Sequence, residues 1–581
     1  MKAPNRNLLW ARVFAEELAL AGVREAVIAP GSRSTPLVFA LDEQPEITVY
    51  SLLDERSAAY FALGLASANG RPAALVCTSG TAGANFYPAV VEANSAGVPM
   101  VVLTADRSPE LRESGANQTI DQIRLFGAHV NWFVEVALPE ADPPDIALRG
   151  LRTLAQRAVS AAHCPQHGPV HLNFPFRKPL EPTELPGDRQ TDASRRVNAP
   201  FVRMLQGRRM PAEEQVAQAA AVLAQAQRGL IICGPRTPDE PAMADAVRAL
   251  QAACGFPVLA DALSGLRYRD GVIRGYDTFL RTDSAFPGPD VVIQLGAQAI
   301  SQSLEEYLNR AAPEHWITIS SDGRWLEPNF WTSMHLTADP AASCHALAGA
   351  LEGRALSGDP SWGPRFAEAD AVVRRTAAAF TMTRWFDGAV LAAAVPMLSP
   401  GSALVIGSSL PVRHLDQFAL DGPADLKVYG NRGASGIDGT ISTAAGVAAA
   451  DHTRPVTLIL GDVAFYHDMN GLLALQRAGV RLVIVVVNNN GGGIFERLPV
   501  ARFEPIFTEL FLTPHGLQFE NAAALYGTAY ERPVGRAAFE EAFARAQRSA
   551  GSTIIEVSTD SKEDLAARSA FLRAVSQTDK G

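Results

Sequence analysis

Cysteine is scarce in this chain and shows no disulfide pattern: five residues (Cys77, Cys164, Cys233, Cys254, Cys344) lie scattered along 581, an odd number without a repeating framework. That excludes a small disulfide-stapled scaffold and suits a compartment where thiols stay reduced, the cytoplasm. No segment approaches the roughly 20 apolar residues a membrane-spanning helix needs, so no membrane insertion is expected. The stretch Asn5 to Gly22 has apolar residues at helical spacing (Leu8, Leu9, Val13, Phe14, Leu18, Leu20) but lacks a long apolar centre and a cleavage site. It predicts a surface helix and no signal peptide. Positive charge is also in deficit, with 51 Lys and Arg against 61 Asp and Glu and a net charge of −10. Nucleic acid and anionic membrane are thereby disfavoured as main partners, and an anionic substrate would need a local basic cluster. Neither a Walker loop nor a Gly-x-Ser-x-Gly elbow is present, which leaves nucleotide triphosphatase and serine hydrolase chemistry without support. Cys164, His167 and His171 have a faintly zinc-like spacing, but Gly168 to Asn173 reads better as a strand.

What is present is an ordinary globular balance, 47% hydrophobic and 19% charged, in a chain long enough for three or four domains. Short apolar runs (Glu25 to Ala29, Ala73 to Cys77, Pro99 to Thr104, Pro169 to Asn173) alternate with amphipathic stretches and end in Gly, Ser or Asp turns. This alternation predicts α/β domains, parallel sheets flanked by helices. A first domain over 1–185 leads through a Pro- and charge-rich linker, 186–211, to a second over 212–355, with strands near Leu230–Cys233, Val291–Leu295 and Trp316–Ser320. Its glycines Gly234 and Gly296 are single turn residues, not a dinucleotide fingerprint. A further linker, 356–384, precedes a third domain over 385–581. No short-period repeat or low-complexity tract interrupts the series.

The most informative stretch runs from Gly461 to Gly491. Gly461-Asp462 follows the apolar run Val456 to Leu460, and after about one helix a second run, Val483 to Val487, ends in Asn488-Asn489-Asn490-Gly491. Such turns leave the carboxyl ends of neighbouring parallel strands, where open α/β sheets bind ligands. The Asp462 carboxylate, the Asn489 side-chain carbonyl and the Gly491 backbone carbonyl are hard oxygens suited to Mg2+, with Mn2+ as the alternative, completed by phosphate oxygens and water. The pattern resembles the Gly-Asp…Asn-Asn signature of thiamine-diphosphate enzymes, with Val463 in place of the usual next glycine. The serial layout of the three domains is similar to that of acetolactate synthase and pyruvate decarboxylase. By that resemblance the first domain binds the pyrimidine, the middle one no cofactor, and the last the diphosphate, over essentially the whole chain.

Thiamine chemistry needs a carboxyl group hydrogen-bonded to the pyrimidine N1′, buried so that it shares a proton. In Leu52 to Gly64 a carboxylate opens an apolar helix, and Glu55 matches the family's activating glutamate; a glutamate here also simply favours a helix N-terminus. The resemblance implies that Glu55 and the diphosphate motif meeting at one cofactor come from different chains, so the active unit is a homodimer or homotetramer. In Cys77 to Gly83, Ser79 and Gly80 offer backbone to the pyrimidine, or form a plain strand-to-helix turn. Ile494 resembles the apolar residue that props the cofactor, and Gly407 and Gly461 complete its cradle.

Four clusters place arginines beside small or amide residues: Ala29 to Pro36, Thr104 to Arg112 with Gly115 to Gln118, Gly407 to Arg413, and Asn431 to Gly439. Arginine forks match carboxylates, so Arg33, Arg107, Arg413 and Arg432 suit a substrate pair carrying several, although a single arginine in a turn is commonly a solvated charge. The strings Pro-Gly-Ser-Arg-Ser-Thr-Pro, Gly-Ala-Asn-Gln, Asn-Arg-Gly-Ala-Ser-Gly-Ile-Asp-Gly and Asn-Asn-Asn-Gly-Gly closely resemble the 2-succinyl-5-enolpyruvyl-6-hydroxy-3-cyclohexene-1-carboxylate synthases of menaquinone biosynthesis. That resemblance implies 2-oxoglutarate as donor, isochorismate as acceptor, and decarboxylation followed by conjugate addition. It also implies that Ser32, Arg33, Arg107, Asn117 and Gln118 position substrate, with Ser409, Arg413 and Arg432 near the reacting carbon and carboxylates. Arg281 stands where the family supplies a basic residue from the middle domain. An adjacent His-His pair, as in pyruvate decarboxylase, is absent among the eleven histidines. The rival readings are another carboligase or decarboxylase of the acetolactate synthase kind and a non-catalytic cofactor-binding scaffold.

Overall fold

The computed structural model describes residues 3–192, 199–238 and 240–578. It contains three six-stranded sheets in series, each pairing all its strands in parallel. The first is formed by β1 (Glu25–Ile28), β2 (Thr48–Ser51), β3 (Ala73–Cys77), β4 (Met100–Arg107), β5 (Trp132–Glu135) and β6 (Pro169–Phe176), in the order β2-β1-β3-β4-β6-β5. The second has β7 (Gly229–Cys233), β8 (Val258–Ala260), β9 (Val272–Ile273), β10 (Val291–Leu295), β11 (His315–Ser320) and β12 (Met334–Thr337), ordered β12-β11-β10-β7-β8-β9. The third has β13 (Ala403–Ile406), β14 (Lys427–Tyr429), β15 (Val456–Gly461), β16 (Val483–Asn488), β17 (Ala529–Glu531) and β18 (Thr553–Ser558), ordered β14-β13-β15-β16-β18-β17. The first and third sheets thus repeat one strand order position for position. Their central strands are buried along nearly their whole length, as near-continuous apolar runs in helix-covered parallel sheets should be. The two runs that bracket the motif, β15 and β16, are adjacent, with Gly461 opposite Val487.

The chain divides into two compact units. One comprises the first sheet together with Asn431–Thr453 and His467–Leu482. Its centre is a close helix pair, Glu55–Asn69 against Thr440–Ala450. A Cβ on Gly64 would fall 2.1 Å from the Thr443 carbonyl oxygen, and one on Gly446 2.1 Å from that of Phe61. The helix bearing Glu55 is anchored at its start as well: Asp54 accepts the Ser57 amide at 3.1 Å, and the Tyr60 hydroxyl donates to Asp438 at 2.6 Å.

The expected surface helix at the N-terminus, Arg6–Leu20, is instead largely buried in the first core. Its polar residues gave it a surface look, yet they are satisfied inside. Asn7 donates to the Arg177 and Pro179 carbonyls, and Glu17 takes the buried Arg152 guanidinium.

The other unit holds the second and third sheets. Between Phe176 and Glu213 the described residues form no helix or strand, and 193–198 of the expected linker lie outside the described residues. The second expected linker, 356–384, is mostly one helix, Trp362–Thr383, whose Trp362, Phe366, Val373 and Ala377 enter a core with Leu230, Phe418 and Phe571. The second sheet reverses its strand order between β7 and β10, but that crevice is shut. A Cβ on Gly234 would sit 1.7 Å from the Ala297 carbonyl oxygen, and one on Gly296 2.4 Å from that of Pro235. Backbone rests on backbone where a nucleotide would otherwise lie.

Gly446→Val forces a branched side chain into the Phe61 backbone. Overpacking of this kind costs roughly 1–3 kcal/mol, so the thermal midpoint of the variant falls by several degrees in calorimetry. An unchanged midpoint would show that the two helices are not this close.

Candidate functional site

In the third sheet the strand order reverses between β13 and β15, and two of the singled-out turns leave those strands. Gly407 follows β13, and a Cβ there would meet Leu460 at 3.0 Å, so glycine lets the turn close on β15. Ser409, two residues on, has φ +72, a backbone conformation costing a non-glycine residue roughly 1–3 kcal/mol. Arg413 on the following helix donates to the Ser409 carbonyl at 2.7 Å and braces it.

Asp462 directly follows β15 and is 2% exposed. It accepts from the amides of Val463 (2.8 Å) and Gly491 (2.9 Å) and lies 3.0 Å from His515 Nε2. Burial lifts its carboxyl above the ordinary range, partly offset by these donors. The helix Asp462–His467 starts on the aspartate itself, and Val463 is not in a left-handed conformation, which explains why a glycine is not required there. A Cβ on Gly461 would meet nothing within 4 Å, so open space lies beside this strand end.

After β16, Asn489 donates from Nδ2 to Asp387 at 2.9 Å, while its Oδ1 is buried and without a partner among the described residues. Gly491, at φ +138, leaves no room for a side chain against the Leu512 carbonyl, and its own carbonyl accepts from Gly493 at 2.9 Å with a second lone pair to spare. Asp462, Asn489 Oδ1 and the Gly491 carbonyl are all hard oxygens, the donor type a hard divalent cation takes. An orphaned buried carbonyl and an open glycine cradle are what a cation-borne diphosphate would use. Ile494 lies partly exposed in the next turn. Behind Asn489, Asp387, His414 and Asp564 are buried together, their ligand-type atoms within 4.8 Å of one another. Burial and the Asp564 charge raise the Asp387 carboxyl; for Asp564 burial is outweighed by His414 and Arg497, and its carboxyl is lowered.

Arg281 is in the same unit. Its guanidinium is 3.2 Å from Asp277, which also accepts from Ser301, Ser303 and Gln417. Burial alone would raise Asp277, but Arg281 and these donors bring it down to about 2.

In the first unit the strand order reverses between β1 and β3, and again the marked turns leave those strands. A Cβ on Gly31 would lie 2.3 Å from Thr78 Cβ, and Thr78 Oγ1 accepts the Arg33 amide at 3.2 Å. Ser32 is exposed, whereas Arg33 is 5% exposed and donates to the Phe176 carbonyl at 2.8 Å. Glu55 is half-buried at the first position of its helix, near enough to Cys77 for its charge to add to burial in raising that thiol. The Ser79-Gly80 turn spends its polar groups within the protein. Ser79 Oγ donates to the Gln118 carbonyl (3.0 Å), Gln118 Nε2 to the Ser79 carbonyl (3.0 Å), and the Gly80 amide to Gln122 (3.0 Å). Gly80 is needed for Gln118, whose Cγ would lie 2.8 Å from an added Cβ. Gln118 is a second non-glycine residue at positive φ, +56, and Arg107 donates to the adjacent Asn117 carbonyl at 2.9 Å. Arg432 begins a loop whose next two amides, Gly433 and Ala434, both donate to the buried Glu92 carboxylate at 2.7 Å.

Sequence reasoning missed Asp387, His515, Gln122 and Glu92, none of which lies in a recognisable motif. His171 of the zinc-like trio lies inside β6, 2.7 Å from Thr104 Oγ1, and burial pushes it down to about 3.

Family models described as the N-terminal TPP binding domain, the middle domain and the C-terminal TPP binding domain of thiamine pyrophosphate enzymes match residues 10–125, 198–402 and 418–557. A 2-succinyl-5-enolpyruvyl-6-hydroxy-3-cyclohexene-1-carboxylate synthase of Roseiflexus sp. (strain RS-1) is 50% identical over 582 residues, covering 99% of both chains. Proteins of the same name from Roseiflexus castenholzii and Haloarcula marismortui are 49% and 43% identical, covering 99% and 100% of this chain and 100% and 99% of their own.

The strain at Ser409 has a measurable consequence. Ser409→Gly removes the Cβ that opposes φ +72, so the unfolding midpoint is expected to rise, by the equivalent of about 1 kcal/mol. A midpoint at or below that of the parent would mean that no strain is stored there.

Proposed function

The chain belongs to the family of 2-succinyl-5-enolpyruvyl-6-hydroxy-3-cyclohexene-1-carboxylate synthases, thiamine-diphosphate enzymes, and on that premise we propose how its residues carry out the decarboxylation of 2-oxoglutarate and the addition of the succinyl unit to isochorismate. The carrying observation is the set of oxygens at the ends of the adjacent strands β15 and β16, with an orphaned Asn489 Oδ1 after β16 and an open Gly461 at the end of β15. Asp462, Asn489 and Gly491 hold Mg2+, or Mn2+ through the same oxygens. Gly407, Gly461 and Ile494 receive the diphosphate and thiazole, which assigns 385–581 to that half of the cofactor, 1–185 to the pyrimidine, and 212–355 to neither.

When bound, thiamine diphosphate supplies the nucleophilic carbon and the electron sink for decarboxylation. Glu55 holds a proton toward the pyrimidine N1′, and the Ser79-Gly80 turn positions that ring through backbone and through Gln118. Ser409, Arg413 and Gln118 stand at the reacting carbon. Ser32, Arg33, Arg107, Asn117, Arg281 and Arg432 orient the carboxylates of the two substrates. Each of Arg33, Arg107 and Arg281 already donates to the protein and keeps an Nε–H without a partner among the described residues, so a five-donor guanidinium can be braced and still face a ligand; Arg413 donates to the Ser409 carbonyl.

The active form is a homodimer or homotetramer in which Glu55 of one chain serves the diphosphate cradle of another. The half-exposed Glu55 supports this, as does the apolar surface beside the cradle, where Leu498, Phe503, Ile506 and Leu510 are 48–69% exposed. All five cysteines are free, which favours a reducing cytoplasm, and no helix of the described residues is long and apolar enough to cross a membrane.

The test is loss of isochorismate absorbance with 2-oxoglutarate, thiamine diphosphate and Mg2+, each omitted in turn. Loss that requires all of them, with the adduct seen by mass spectrometry, is the expected result. Consumption of pyruvate in place of 2-oxoglutarate would assign the chain's chemistry to the acetolactate synthase kind. Glu55→Gln is expected to keep cofactor binding and lower turnover by about 100-fold or more, in line with the usual contribution of a general acid–base group; undiminished turnover would remove Glu55 from the mechanism. Gly461→Ala adds a Cβ that meets no protein atom within 4 Å, so it should leave the unfolding midpoint unchanged while weakening quenching of tryptophan fluorescence by thiamine diphosphate. Normal quenching would place the diphosphate elsewhere.

A further inference from the structure

We propose that Asp387 is a positioning residue that fixes the amide of Asn489 so that its carbonyl, and not its NH2, faces the cation; this rests on the reading of Asn489 as a cation ligand. An asparagine amide presents either an oxygen acceptor or an NH2 donor to a neighbour, and only the oxygen has a lone pair for a metal. Asp387 is 1% exposed in the first turn of the helix Asp387–Ala394, and one of its carboxyl oxygens accepts from Asn489 Nδ2 at 2.9 Å. The flipped amide would set oxygen against oxygen.

Glycine makes the room in which the amide sits. Gly493 lies directly beneath it, where a Cβ would be 2.9 Å from Asn489 Nδ2 and 3.0 Å from Ser561 Cβ. The opposite atom, Oδ1, has no partner among the described residues although it is buried. The cluster behind Asp387 is not itself a cation site: Arg497 donates to Asp564 at 3.0 Å and lies 3.3 Å from His414 Nε2, which fills the charge demand there. What remains is an outer acceptor aimed at one ligand, and such partners typically govern metal affinity by 10–100-fold.

The experiment titrates Mg2+ into protein and thiamine diphosphate and follows tryptophan fluorescence, with the thermal midpoint of the cofactor-free protein measured alongside. Asp387→Leu, close in shape but without an acceptor, is expected to keep that midpoint within a few degrees and to raise the Mg2+ concentration for half-maximal quenching by 10–100-fold. Asp387→Asn, whose side-chain oxygen still accepts, should stay within about threefold of the parent. If the leucine variant does not fold, Asp387→Ala takes its place in the same comparison. Parent-like Mg2+ binding in the variant without an acceptor overturns the proposal, and so does equal weakening in Asp387→Asn, which would assign the effect to charge. Absence of Mg2+-dependent quenching in the parent protein overturns instead the reading of Asn489 as a ligand.

Discussion

A single hydrogen bond across the ends of two adjacent strands, from the Gly491 amide to the Asp462 carboxylate at 2.9 Å, sets the geometry on which the rest of the third-sheet site depends. It joins the turn after β15 to the turn after β16 and so fixes which oxygens can point to a common cation. The bond asks for a turn after β16 that doubles back, and Gly491 at φ +138 provides it where an added Cβ would collide with the Leu512 carbonyl. It also asks for a buried carboxylate, and burial raises the Asp462 carboxyl. A divalent cation would favour the ionised form.

The chain uses the doubly wound sheet three times, and the three reversals of strand order differ in what their turns place there. In the first and third sheets the order reverses between the first and third strands of each set, and part of each candidate set, Gly31 to Arg33 with Ser79-Gly80 and Gly407 to Ser409 with Gly461-Asp462, ends or follows those strands. The middle sheet reverses too, between β7 and β10, yet Gly234 and Gly296 bring its turns into backbone contact. Glycine therefore has opposite uses in neighbouring domains. At Gly461 it leaves space, whereas at Gly234 it lets the space close. A strand order by itself says where a ligand could bind, and the side chains at the turn decide whether one does.

Much of this was legible in the sequence because it rests on local patterns. Buried parallel strands are apolar runs, and those at Ala73–Cys77 and Val291–Leu295 lie at the expected residues. The Gly-Asp and Asn-Asn turns were readable because they are contiguous and follow such runs. Strands such as β2, β9 and β17 were not, being two to four residues long without a continuous apolar stretch. The N-terminal helix and the helix at 362–383 were misjudged for one reason: polar residues such as Asn7, Glu17 and Asp370 imply solvent, and only the fold shows their partners. Asp387 was invisible on the same ground, since its partner is 102 residues away.

The arginines proposed for substrate also brace the backbone. Ser409 and Gln118 both hold a left-handed backbone that glycine would adopt more readily. Arg413 donates to the Ser409 carbonyl itself and Arg107 to that of Asn117, the residue before Gln118. A planar guanidinium carries five donors in a fixed fork, so one edge can tie down a strained turn while others remain for a carboxylate. An ammonium has one centre and no second edge, and lysine in either place could not do both. The basic groups proposed for the anionic substrates of a net-acidic protein are thus also groups that brace two backbone turns.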